Sequence, residues 1–178
     1  MTAKTLEIAE SPRDICDIRI AYASATFSID RRYRYKLVRH WGGCNGSLVW
    51  IMLNPSTAGA EDDDPTIRRV VRFSHDLGYS GCEVLNLYSL ITPYPCELWG
   101  ASDPIGDNTN LVAQALCERS GGVVLAWGRH RQAMSRGNLI AACLPDAQCL
   151  GHNLDGSPKH PLYLSSALRL RPYGAGGP

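Results

Sequence analysis

The sequence predicts an α/β protein: a three-layer α/β/α sandwich on a short, mainly parallel central sheet, with a β-hairpin at its N-terminal end. Three observations lead there. Four short apolar runs read as strands, and segments of helical character separate them, the alternation that accompanies parallel sheets. Two β-rich segments, "ATFSID" and "YRYKLVRHW", precede them across a short charged stretch, as an antiparallel hairpin would. The chain has 178 residues, 44% apolar and 20% charged, which suits one soluble domain with a proper core. That domain is expected to span residues 1–170, with "RPYGAGGP" (171–178) as a flexible tail.

The elements follow in order. "SLVWIML" (47–53) is the first strong buried strand, and it runs into the short polar groups of Asn54, Ser56 and Thr57 around Pro55. "DPTIRRVVRFSHDLG" (64–78) is helical: Asp64 can cap, Pro65 suits the first turn, and Ile67, Val70, Val71 and Ser74 share a face. Gly78 ends it. "CEVLNLYSL" (82–90) is the second buried strand, followed by a Pro-rich loop. "NTNLVAQALCERS" (108–120) is a helix, "GGVVLAWG" (121–128) a third strand, "RHRQAMSRGNLIAAC" (129–143) another helix, and "AQCLGHN" (147–153) a fourth short strand. Trp50 and Trp127 lie inside strands and are expected in the core.

Several function classes drop out. No apolar run approaches the ~20 residues of a membrane-spanning helix, and the polar N-terminus has no hydrophobic signal region, so a cytoplasmic protein is expected. The seven cysteines show no C-x-x-C and no zinc-type His–Cys cluster; free, mostly buried thiols in a reducing compartment are expected. There is no G-x-x-x-x-G-K-[ST] phosphate loop and no G-x-S-x-G elbow. The net charge is only +1, but residues 31–40, "RRYRYKLVRH", hold five Lys or Arg. Basic stretches recur at 68–72 and 128–136, while acid gathers at 61–64. One positive face for nucleic acid and ordinary solvated surface both fit that pattern.

Ligands of parallel sheets sit beyond the carboxyl ends of the strands. There the strands deliver "LNPSTA", "LNLYS", "AWGRH" and, after the fourth, "LGHNLDGSPKHPLYLS". Asn54, Asn86 and His160 should therefore converge on one edge. An asparagine offers a donor and an acceptor, enough to read a base edge or hold a water. A histidine can donate to charge growing on a leaving group. A turn opener at Asn54 and a loop-satisfying His160 are the plainer readings of the same residues.

The succession "WIMLNPS", "VLNLYSL", "VVLAWG" and "HPLYLS" resembles the motif order of the uracil-DNA glycosylase superfamily. Over most of residues 33–164, "IMLNPSTA", "DDPTIRR", "DPIGDN" and "GSPKHPLYL" resemble DUF1643, a family of small bacterial and phage proteins. Carried over residue by residue, the glycosylase resemblance gives Asn54 the attacking water, Asn86 the base and His160 the departing base anion. Leu162 and Tyr163 would wedge into the duplex and hold the flipped-out nucleotide. Around these, Pro55, Ser56, Thr57, Tyr88 and Asp63 are the further substrate-side candidates, and Arg68, Arg69, Arg129 and Lys159 the DNA-side ones. Asp64 is a helix cap or, with Asp63 as the alternative, a water-activating or sugar-binding carboxylate.

The resemblance implies a monomeric, metal-free and cofactor-free DNA glycosylase acting on duplex DNA, with phage defence as an extension. Where the uracil enzymes follow Asp-Pro with Tyr, this sequence has Ser56 and Thr57. Small residues there imply a roomier pocket and a 5-substituted pyrimidine, such as hydroxymethylated or glucosylated cytosine. A nucleoside- or nucleotide-processing hydrolase and a non-catalytic module for modified DNA are the rivals.

Overall fold

A computed structural model describes residues 5–10, 13–56, 63–108, 115 and 121–174. In chain order its strands are β1 (Thr5–Glu10), β2 (Arg13–Ile15), β3 (Ile18–Ile20), β4 (Tyr22–Ser28), β5 (Arg34–His40), β6 (Ser47–Met52), β7 (Gly81–Asn86), β8 (Val123–Leu125), β9 (Gln148–Cys149) and β10 (Arg171–Pro172). The helices among the described residues are α1 (Pro65–Asp76), α2 (Pro95–Leu98) and α3 (Met134–Ala142), with 3₁₀ turns at Arg131–Ala133 and Pro161–Tyr163. Of the helix expected at 108–120, only Asn108 and Ala115 are described, Ala115 as helical and buried.

The expected three-layer sandwich on a short, mainly parallel sheet is not what the chain builds. Eight strands form one large mixed sheet in the order β1-β4-β5-β7-β6-β8-β9-β10. Only β6–β7, β6–β8 and β8–β9 pair in parallel. The expected hairpin exists as β4 and β5, but it does not stand apart. β5 pairs antiparallel with β7, Leu37 against Val84 and Arg39 against Cys82, and β1 extends the arm beyond β4. The physical reason is the open edge of β7: its unpaired N–H and C=O groups are a template, and the hairpin fills it. A residue-by-residue alternation identifies a strand but not its neighbour.

The two halves of the sheet bury differently. All six residues of β6 are buried, so both faces of the parallel part are covered. Leu48, Trp50 and Met52 pack with Ile67, Val70, Val71 and Phe73 of α1 on one face. Val49 and Ile51 pack with Trp127, Ile140 and Ala115 on the other. Both tryptophans are core residues as expected, and Trp50 Nε1 donates to Ser74 Oγ at 2.9 Å. Gly137 lets α3 close on Trp127, since a Cβ there would sit 2.6 Å from Cζ2 of the indole. In the arm, β4 and β5 show more exposure, which is where Tyr22 and Lys36 face outward.

α1 forms for the reasons its sequence suggests. Asp64 Oδ1 accepts from Ile67 N at 2.8 Å as the N-cap, Pro65 opens the first turn, and Gly78 takes the left-handed backbone (φ 87°) just past the end. Two other expectations need correction. Residues 171–173 are not a loose tail: β10 pairs with β9, Tyr173 N donates to Ala147 O, and its ring packs 5.9 Å from that of Trp127. The six described cysteines are free, but only Cys82 and Cys149 are buried, the other four lying on loops and helix ends. Burial pushes the Cys82 thiol up to about 12. No helix among the described residues is long and apolar enough to cross a membrane.

Candidate active site

The connection from β6 through α1 leads to β7 on one side of β6, whereas the chain after β7 crosses to β8 on the other. Such a reversal leaves a crevice outside the strands' carboxyl ends. A cavity of about 510 Å³ occupies this place. Asn54 and Ser56 enter it from the end of β6, Asp64 from the start of α1 and Asn86 from the end of β7. Trp127 and His130 follow β8, and His160, Leu162 and Tyr163 come from the loop after β9. Thus Asn54, Asn86, Asp64 and His160 share one cavity. Thr57 lies outside the described residues.

Asn54 is held in a single orientation. Its Nδ2 donates to Pro55 O and to Thr92 O, both at 2.8 Å. Both amide protons are thereby engaged, and Oδ1 is the atom left for the cavity, as an acceptor. Thr92 is itself fastened, its N donating to Pro55 O at 3.1 Å and its hydroxyl to Glu97 Oε2. Pro55 is buried beneath this bridge and contributes its carbonyl rather than a cavity surface.

The two aspartates separate cleanly. Asp63 is buried against Arg39, whose Nε and Nη2 reach Oδ1 at 3.1 and 2.9 Å, and it is not part of the cavity wall. Its role is to tie the entrance of α1 to β5. Asp64 caps α1 with Oδ1 and also lines the cavity, so cap and site residue are one side chain. It is the one acidic residue among the described residues lining the cavity.

Asn86 is 1% exposed, and its Nδ2 is buried without a hydrogen-bond partner. Its backbone carbonyl is satisfied by Asn108 Nδ2 at 2.9 Å. An orphaned buried N–H costs about 1–3 kcal/mol, a cost that a ligand acceptor would remove.

His160 accepts from Leu162 N through Nδ1 at 3.3 Å. In the neutral ring the proton is then on Nε2, which becomes a donor. Burial holds its pKa below the ordinary value, the Asp64 charge opposes that shift and neighbouring His130 adds to it. Gly128 makes room: it has φ 77°, and a Cβ on it would lie 3.2 Å from the His160 Cβ. Its N donates to Pro158 O at 3.1 Å, fixing the approach to the histidine.

A model for the family described as "Protein of unknown function (DUF1643)" matches residues 34–162. The chain belongs to that family. No curated protein and no solved structure matches it. The DUF1643 match begins at Arg34 and ends at Leu162, and therefore contains every cavity residue named above except Tyr163.

The remaining expected site residues of this DUF1643 chain divide by position. Tyr88 is not in the cavity wall; it is buried on the opposite face, edge-on to Trp99 at 5.4 Å with Arg136 over its ring. Past the end of β7 the strand period no longer applies, so counting from Asn86 misplaces it. Arg69 is tied to Leu164 O and lies 4.8 Å over the Phe73 ring, which makes it a brace between α1 and the His160 loop. Exposed Arg68 donates from Nε to Asp63 O at 3.0 Å. Exposed Arg129 pairs with Asp155 at 3.4 Å, and half-buried Lys159 bonds Gly151 O through its backbone N. Leu162 is half-buried in the wall, whereas Tyr163 is 91% exposed at the rim.

Five further lining residues are not singled out by the sequence pattern: His130 is only the end of "AWGRH", Thr92, Pro93 and Pro95 belong to a Pro-rich loop, and Arg34 is one of several cations in a basic stretch. Among the described residues, no group of three or more His, Cys, Asp or Glu is placed to hold a metal ion.

Proposed function

We propose that the chain is a DNA glycosylase that hydrolyses the N-glycosidic bond of a modified base and leaves an abasic site. The observation that carries the reading is the meeting of Asn54, Asn86 and His160 in one cavity at the strand ends. The order of their motifs, like that of the uracil-DNA glycosylase superfamily, agrees with it.

The chemistry can be followed atom by atom. A base flipped into the cavity presents its edge to Asn86, whose unpartnered Nδ2 donates to a base acceptor. As the C1′–N bond breaks, its electron pair goes to the base and positive charge grows on the sugar. His160 Nε2–H donates to the developing base anion, and Asp64 supplies negative charge on the sugar side. Asn54 Oδ1 accepts from the water whose oxygen bonds C1′; the proton lost from that water ends on the base or in solvent. An amide is not a strong base, so Asn54 orients the water rather than deprotonating it.

The cavity is larger than a bare pyrimidine requires, and Ser56 leaves it open where a larger side chain would close it. A 5-substituted pyrimidine in phage DNA is the matching substrate, and defence against such DNA the matching role. Tyr163 at the rim would stack in the duplex.

The test is incubation with DNA carrying hydroxymethyl- or glucosylhydroxymethylcytosine, followed by alkali. Strand breaks at the modified positions are expected. Binding with no alkali-labile site on any modified DNA would leave a non-catalytic binding module. Cleavage of free nucleotides alone would move the activity to the nucleotide-processing class.

A further inference from the structure

Arg34 is 4% exposed and lines the same cavity as Asn86. An arginine buried this far is uncommon unless its charge meets hydrogen-bonding partners. Its placement follows from the sheet. The β5–β7 register, Leu37 against Val84, brings the start of β5 to the carboxyl end of β7, and Arg34 N donates to Ser89 O at 2.9 Å. The guanidinium is thereby delivered to the side of the cavity that holds Asn86. A guanidinium carries five N–H donors in a rigid fork, so it can keep a protein partner and still present donors to a ligand.

In the same cavity wall the Nδ2 of Asn86 is buried without a hydrogen-bond partner, and it is this amide that signals a missing acceptor. His160 adds a third donor through Nε2. Across the cavity, acceptors belong to Asn54 at the end of β6 and Asp64 at the start of α1. The β5–β7 side is thus rich in donors and carries a permanent positive charge.

We propose that Arg34 is a specificity-determining residue of this cavity, reading with Asn86 an acceptor-rich or anionic group on the far edge of the substrate base. The inference rests on the glycosylase reading and names the chemistry of the base it takes: one bearing carbonyl or carboxylate oxygens where Arg34 and Asn86 meet. Arg34 would select such a base over an isostere bearing a methyl group, because the methyl leaves buried donors unmet. Its charge would also favour a base already polarised toward the anion.

The experiment compares uracil-5-carboxylate with thymine as free ligands, using NMR titration of the full chain. Wild type is expected to bind the carboxylate about tenfold or more tightly than thymine, as a charge-assisted hydrogen bond implies. Arg34→Met should abolish the difference, and Arg34→Lys, which keeps the charge without the fork, should reduce it about threefold or more. Equal binding of the two by wild type overturns the inference, as does an unchanged preference in Arg34→Lys. The wild-type ratio and the Lys variant decide the matter even if Arg34→Met does not fold. Failure to bind either probe while modified bases are still released overturns the role of Arg34 alone. Failure of both binding and release overturns the glycosylase reading with it.

Discussion

The two halves of the sheet are made from the same kinds of strand and do different work. In the parallel half, β7-β6-β8-β9, the strands are short, buried on both faces, and end together at the cavity. In the antiparallel arm, β1-β4-β5, the strands are longer and half-exposed, and only the first residue of β5 reaches the cavity. The arm instead sends Arg39 inward to hold Asp63. Parallel strands bring their carboxyl ends to one edge, which is a way to gather side chains from distant parts of the chain. An antiparallel hairpin returns at once and braces that edge while contributing little more than Arg34 to it.

This contrast can be broken from either side. The largest effect is expected in the brace. Asp63→Ala leaves Arg39 charged and buried, and should destabilise the fold by about 3–5 kcal/mol, read by urea denaturation. Replacing both, as Arg39→Met with Asp63→Leu, should recover much of that loss. A mild Asp63→Ala would mean the arm does not hold the entrance of α1.

Next comes the parallel side. Asn54→Ala should lower base release about 100- to 1,000-fold in single-turnover assays. The loss of its two bonds to Pro55 and Thr92 costs the fold only about 1–2 kcal/mol. Chemistry lost without unfolding is the opposite signature to Asp63→Ala. Full activity in Asn54→Ala would remove Asn54 from the mechanism.

Asp64 lies where the two roles meet. Asp64→Ser retains an N-cap but not the charge, so the melting temperature should stay close to wild type while release falls about tenfold. Asp64→Ala should lose both, with about 1 kcal/mol of stability. Equal activity in the Ser variant would reduce Asp64 to a cap.

The smallest effect is in pH. His160 and His130 are both held below the ordinary histidine value, chiefly by burial. Between the depressed and the ordinary value the unfolded chain binds more protons than the folded one, so stability rises with pH across that window and falls on acidification. Melting temperatures measured through it should drop toward acid, and less so in His130→Gln. Base release should hold steady above the window and decline as His160 protonates, because the cation loses the Nδ1 acceptor that fixes Leu162 N.

The parallel half was legible because its information is local. Continuous apolar runs announced β6, β7 and β8, the polar residues ending β6 and β7 announced Asn54 and Asn86, and the "HPLYLS" loop after the fourth strand announced His160. The cap at Asp64 followed from its place before Pro65. What escaped was pairing at a distance. Nothing within "YRYKLVRHW" says that β5 joins β7, so neither the mixed sheet nor the arrival of Arg34 in the cavity could be read. Arg69 looked like a phosphate ligand because its carbonyl partner, Leu164, is far along the chain. β1 and the β2–β3 pair carry no such local signal: the described side chains of β1 are mostly exposed and the strand is held by its pairing with β4, and Ile15, Ile18 and Ile20 are buried in the cluster they share with α1.

The central claim is that a water held at Asn54 replaces a base at C1′. It is tested most directly by incubating DNA that carries glucosylhydroxymethylcytosine with the protein in ¹⁸O-labelled water, then analysing both products by mass spectrometry. Release of the intact modified base, with one ¹⁸O on the abasic deoxyribose and none on the base, is the predicted result. Label in the base or in a phosphate, or no free base at all, would contradict the account.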